Sequence, residues 1–394
     1  MESGTFLILL GGLVVLSFLA EEAFERLRIP PVLVLIAAGL LLGPAFGLLP
    51  ARRFAEVAPQ FGALAFLLIL FEGGLDLDFQ EVVTKLRAGA TLAIANFAVS
   101  FAIAAVVGLA AKLSVPEALA LGIVLAPVSG TIVIPLVARL GLRPEARTTV
   151  VLEAAIADVI AVLAMSLLAK SVTGTGLGGL IALGSLLAAA AAALAGVAAG
   201  LLWPRVLRWL GERRFLDVLS FGVALGLWGL AELVGTSGAL TVLLFGMTLA
   251  NEGALLRTLH LPAELVSRTA RHTVRRMHRF IGELTFLVRT FFFVFLGVVV
   301  RFGHLPRERY LAAGAVCLLF VAGRGLALKV LSARGVLGVT ASERKTIWLL
   351  QPRGLVSAVL AIQAASVGLD PDGSLLGVTS LVILATNGLL LGVR

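Results

Sequence analysis

Apolar stretches of about 20 residues recur from one end of this chain to the other, and each is long enough to cross about 30 Å of hydrocarbon as a helix. Thirteen such spans fit the sequence, at 4–20, 31–49, 58–75, 88–111, 117–138, 148–169, 178–202, 215–234, 237–251, 280–300, 309–330, 346–368 and 374–392. A soluble core of this size shows shorter apolar elements with polar faces. Soluble domains also carry roughly 25% charged residues, whereas here the figure is 14%. The sequence therefore predicts an all-α membrane protein with about 13 transmembrane helices. The first span starts too near Met1, and with too little positive charge before it, to read as a usual signal peptide. Cys317 is the single cysteine and lies inside a span, so no intramolecular disulfide forms and redox chemistry is not expected.

Basic residues give the orientation. Loops after odd-numbered spans, with the span ends that flank them, hold 21 of them, from Arg26 and Arg28 to Arg344 and Lys345, against 7 for the even-numbered side. Positive loops stay inside, which predicts a multi-pass protein of the plasma membrane with an outside N-terminus and a cytoplasmic C-terminus. The net charge of +9 is then a topology signal, and no nucleic-acid partner is implied.

Two spans are interrupted alike. The fifth carries Pro127, Ser129, Gly130, Thr131 and Pro135; the twelfth carries Gln351, Pro352, Arg353 and Gly354. Such residues break the helical hydrogen-bond ladder, and the freed backbone groups are tolerated only where they line a polar cavity. Matching breaks predict two inverted repeats, about 1–170 and about 215–394, joined by a linking helix at 178–202, in a single transporter domain without a soluble regulatory domain. Paired broken helices mark a midplane binding site. The linking helix is rich in alanine and glycine, which suits close packing or a dimer surface. Residues 262–279 read as a basic amphipathic helix on the cytoplasmic face, a partner for anionic lipids, and His272 and His278 give it groups that titrate near neutrality.

Charges inside spans cost about 2.5–3.5 kcal/mol each unless paired or hydrated. Glu72, Glu232 and Glu283 lie near span ends; Arg289, Arg324 and Arg353 are the bases. Glu153 and Asp158 share the sixth span, five residues apart. Asp158 sits mid-span with small or apolar neighbours and no base within reach on its own helix. A carboxylate so placed is costly to ionise and can carry a proton; its oxygens also suit a hard monovalent cation. Competition of proton and cation for one acid is the minimum machinery of an antiporter. A protonated structural aspartate, bonded to a neighbouring helix, is the alternative. Arg353 needs a buried anion, and Glu153 is the best candidate for a structural ion pair with it. An arginine in the break would also offset exposed helix C-terminal ends.

At these residues the chain resembles the monovalent cation/proton antiporter superfamily, in particular its sodium/proton exchanger branch, along nearly its full length. PPVLVLIAAGLLLGP and LFEGGLDLDF look like its second and third helices. LLFGMTLAN and FFFVFLGVVV look like helices of its second repeat. The most specific pieces are Glu153 to Asp158, similar to an E-S-x-x-N-D element, and QPRGLVSAVLA, similar to an R-G-x-x-S helix. The resemblance implies crossed discontinuous helices, a moving core and a homodimer. It makes Asp158 the exchanging carboxylate and ligand of the transported cation, with Glu153 paired to Arg353 nearby. Two departures stand out. Ala157 replaces the asparagine, and Val128, Ser129 and Gly130 occupy the place of a T-D-P element. Ser129 and Thr131 are then expected to supply oxygens, with Glu153 close by. The expected function is exchange of Na+ (or another monovalent cation) for H+, electroneutral and serving pH homeostasis, by a transporter and not an enzyme. No cofactor is expected beyond the transported Na+ or K+ and H+. K+/H+ exchange and cation-coupled symport of an organic anion are the alternatives.

Overall fold

The computed structural model describes residues 3–27, 30–48, 51–137, 140–172, 178–211, 213–258, 268–299 and 305–392. Every regular element among them is helical. In chain order they are α1 (Ser3–Leu27), α2 (Pro31–Leu40, continued by a π turn over Leu41–Ala45), α3 (Ala51–Asp76), α4 (Phe79–Ala110), α5 (Val115–Leu125), α6 (Gly130–Val137), α7 (Pro144–Val172) and α8 (Gly178–Leu210). There follow α9 (Leu216–Leu233), α10 (Gly238–Ala250), α11 (Glu252–Thr258), α12 (Arg268–Val299), α13 (Arg307–Ala333), α14 (Ala341–Leu349), α15 (Leu355–Ser366) and α16 (Ser374–Leu389). Among the described residues eight segments are long and apolar enough to cross a membrane, one of them running through α5 and α6 together, and three shorter apolar helices stand beside them. Counting α5 with α6 and α14 with α15 as two interrupted spans, and leaving out the seven-residue α11, gives the thirteen crossings expected.

The chain forms two compact units. One comprises residues 1–63, 88–169 and 287–394; the other comprises 64–87 and 170–286. Inside the first, α2 and the second half of α12 touch backbone to backbone. A Cβ on Gly39 would strike the Val294 carbonyl, and one on Gly297 would strike the Ile36 carbonyl. Without water to drive association, small residues that permit such approach are what packs helices in lipid.

Inside the second unit α8 lies against α10, with Gly196 facing Thr241 and Gly200 facing Thr248. The small residues of the linking helix thus serve packing within the chain. Phe71 of α3 stacks on Phe245 of α10 with ring centroids 5.4 Å apart. One expectation is corrected here. From Arg268 onward the basic segment is the start of α12 and runs without interruption into the apolar span, so it is not a separate surface helix. Nothing inside the segment breaks the helix, which continues at Phe280. Residues 262–267, and the side chain of His272, lie outside the described residues. His278 bonds the Asp76 carboxylate at 2.7 Å, and Arg276 bonds Asp217 at 3.0 Å.

Candidate ion-exchange site

The first unit holds both broken spans. Helix α5 ends at Leu125, and Ala126 to Ser129 bridge to α6; helix α14 ends at Leu349, and Leu350 to Gly354 bridge to α15. The two bridges meet. The Ser129 amide donates to the Pro352 carbonyl at 2.8 Å, and Gly354 lies so close to the Ser129 hydroxyl that a Cβ there would collide with it. Backbone groups orphaned by one break are thereby satisfied at the other, as groups removed from water must be.

Arg353 is fully buried at this crossing. Its Nε donates to the Leu125 carbonyl at 2.6 Å, its Nη1 to the Gln351 carbonyl at 3.3 Å and its Nη2 to the Ser100 hydroxyl at 3.1 Å. The guanidinium also lies 4.6 Å from the centroid of the Phe320 ring. Leu125 closes α5, so the arginine neutralises the negative end of a helix inside the membrane. Thr386 and Asn387 of α16 hold its backbone: the Arg353 amide donates to Thr386 Oγ1 at 3.0 Å, and Asn387 Nδ2 donates to the Arg353 carbonyl at 2.8 Å.

The expected pair of Glu153 with Arg353 is not what forms. Arg324 of α13 takes Glu153 in a two-pronged salt bridge, Nη1 to Oε1 and Nη2 to Oε2, the latter at 2.9 Å. Its Nε donates to the Ile347 carbonyl at 3.0 Å. The planar guanidinium fork matches both carboxylate oxygens at once, while Arg353 is satisfied by carbonyls, a hydroxyl and a ring face. Arg324 is flanked by Gly323 and Gly325, and Cβ atoms there would collide with Val99 and Ile103 of α4 and crowd Trp348 of α14. Two glycines thus seat this arginine between tightly packed helices. With both its oxygens engaged by Arg324, the Glu153 carboxylate is committed to a structural pair.

Asp158 of α7 is buried, and its Oδ1 has no hydrogen-bond partner among the described residues. Its Oδ2 faces the start of α6, where a Cβ on Gly130 would stand 3.6 Å away. That is ordinary contact distance, so the carboxylate lies alongside the first turn of α6. The positive end of α6 suits an anion there. On either side of Gly130, Ser129 and Thr131 share a hydrogen bond of 2.9 Å between their hydroxyls. The fold thus gathers Asp158, Ser129 and Thr131 about one glycine, and it keeps Glu153 and Arg353 as separate supports. Ala157, where the resembled element has an asparagine, is buried and supplies no oxygen.

Two crossed broken helices with a buried carboxylate beside one break define a membrane transporter of the cation/proton antiporter kind. The chain belongs to the sodium/hydrogen exchanger transmembrane family, whose sequence pattern matches residues 12–390. It is 23% identical over 371 residues to "Na(+)/H(+) antiporter 1" of Methanocaldococcus jannaschii, covering 90% of this chain and 82% of that protein. It is 28% identical over 157 residues to "Na(+)/H(+)-K(+) antiporter GerN" of Bacillus cereus, covering 40% of each chain. The fold matches the structure of the sodium proton antiporter MjNhaP1 from Methanocaldococcus jannaschii at pH 8 with a TM-score of 0.79. That match covers 100% of this chain and 97% of the other at 21% identity.

Proposed function

We propose that this protein is a secondary antiporter that exchanges Na+ for H+ by alternating access, with Asp158 binding either ion in turn. The observation that carries this is the buried Asp158 carboxylate at the first residue of α6, beside the Ser129–Thr131 hydroxyl pair. A sodium ion takes oxygen ligands; the carboxylate supplies one with charge, and the two hydroxyls with nearby backbone carbonyls supply neutral ones. Protonation of Asp158 removes the charged ligand, so cation and proton exclude each other. With Glu153 neutralised by Arg324, one carboxylate titrates per cycle, and one proton is exchanged for one monovalent cation without net charge movement. Its partners are the two ions, anionic lipids along the basic start of α12, and a second copy of the chain in a homodimer. It works in the plasma membrane, N-terminus outside and C-terminus in the cytoplasm, and contributes to pH homeostasis.

A second reading, K+/H+ exchange, is favoured by one observation: Ala157 and the Val128, Ser129 and Gly130 stretch leave the site without the extra amide and acid expected beside it, which weakens discrimination in favour of the small sodium ion. The name of the partly matching GerN, which includes potassium, is in keeping with it.

The test is proton flux in proteoliposomes under gradients of sodium, lithium and potassium, with the membrane potential clamped. Wild type is expected to exchange, with a reversal point independent of voltage, and Asp158→Asn is expected to abolish exchange while still inserting and folding. Normal cation-driven flux in that variant would sink the mechanism, and a reversal point that shifts with voltage would sink the one-for-one stoichiometry.

A further inference from the structure

Within the first unit a cavity of about 30 Å³ is lined on one part of its wall by Thr131 and Ile132, the first residues of α6 after Gly130. Its walls are mostly apolar, with Val32 and Leu35 of α2 and Phe293 of α12 among them. Two charged residues line it: Glu21, near the end of α1, and Arg289 of α12, whose side chains are 36% and 21% exposed and stand 3.5 Å apart. Thr131 of the lining shares a hydrogen bond with Ser129 and adjoins Gly130, which faces Asp158. Glu21 lies one residue beyond the first span, towards the basic loop that follows it. The positive-inside pattern assigns that side to the cytoplasm.

We infer that this cavity is the cytoplasmic access route of the cation, and that Glu21 keeps it passable by cancelling the charge of Arg289. The inference rests on the antiporter reading above. Arginine stays ionised at any working pH, so an uncompensated Arg289 in an apolar-walled passage repels every cation bound for Asp158. Glu21 faces that guanidinium at ion-pair distance and turns the mouth from repelling to neutral. A charge in such a place acts on the approach of the ion more than on the exchange step at Asp158, so its signature is a change in KM with kcat preserved.

The experiment is sodium-dependent proton flux in proteoliposomes of the full chain, fitted for KM and maximal rate. Glu21→Gln is expected to raise the sodium KM about tenfold, the effect of one unpaired charge acting over roughly 10 Å in a partly screened site, and to leave the maximal rate little changed. Glu21→Asp keeps the charge and is expected to keep a near-normal KM. The double variant Glu21→Gln/Arg289→Gln is expected to return KM towards wild type, because no charge is then left to repel. An unchanged KM in Glu21→Gln, the same rise in Glu21→Asp, or a double variant as impaired as the single one would each overturn the inference. Those results leave the role of Asp158 untouched, whereas absence of sodium-driven flux in wild type would overturn the antiporter reading itself.

Discussion

Arg324 and Glu153 are 1% and 0% exposed, and their two-pronged bridge is the most deeply buried ion pair among the described residues. Truncating one partner of a buried pair strands the other's charge and costs about 3–5 kcal/mol. After Glu153→Ala, Arg324 retains only its Nε bond to the Ile347 carbonyl; after Arg324→Ala, an unpaired carboxylate remains inside the packed unit. At roughly 2 °C per kcal/mol, either single change should lower the melting temperature in detergent by about 6–10 °C. The double variant strands nothing, so its loss should fall short of the sum by about 2–3 kcal/mol. The assay is a thermal unfolding scan of the purified protein, run for wild type, both singles and the double, and repeated with Arg353→Ala in place of Arg324→Ala. Additive losses for Glu153 and Arg324, or a coupling of Glu153 to Arg353 as strong as that to Arg324, would refute the assignment.

Gly354→Ala drives a methyl group into the Ser129 hydroxyl at the crossing and should lower stability by about 1–3 kcal/mol and suppress exchange. Gly314→Ala, where an added methyl meets nothing, serves as the control, and equal behaviour of the two would refute the steric argument. At the N-terminus of α14, Glu343 is held down to about 2 by its salt bridge to Arg143, with Thr340 also donating to it. Its folded value lies below the usual carboxylate value of about 4.3, so the stabilisation is complete above that value and lost as pH falls towards 2. Arg143→Gln should therefore flatten the fall of melting temperature between pH 5 and pH 3, and an unaltered acid limb would count against the pair.

The spans and both breaks were legible because their causes are local: unbroken apolar runs, and proline or glycine set inside them at Pro127, Gly130, Pro352 and Gly354. Asp158 was legible for the same reason, as an acid without a base on its own helix. The partner of Glu153 was not. Arg324 and Arg353 both lie within spans, and a helix sequence does not say which neighbour it will face; only the packing of α13 against α4 and α14 decides that. The roles of Ser100, Thr386 and Asn387 were hidden too, since small polar residues in a membrane helix commonly bond their own preceding turn, as Thr386 also does with the Val382 carbonyl. The uninterrupted start of α12 eluded the sequence because a basic amphipathic stretch has the same composition whether it lies flat or leads into a span.

The join between the two broken helices is made of main chain: an amide at Ser129 and a carbonyl at Pro352. Every amino acid except proline brings that amide to position 129, and every amino acid brings the carbonyl to position 352. Side chains from 128 to 131 can therefore drift over evolutionary time, within the limit of space, while the frame that presents them is inherited unchanged. Neutral residues at 128–130, and Ala157 where the resembled element has an amide, leave the crossing assembled all the same.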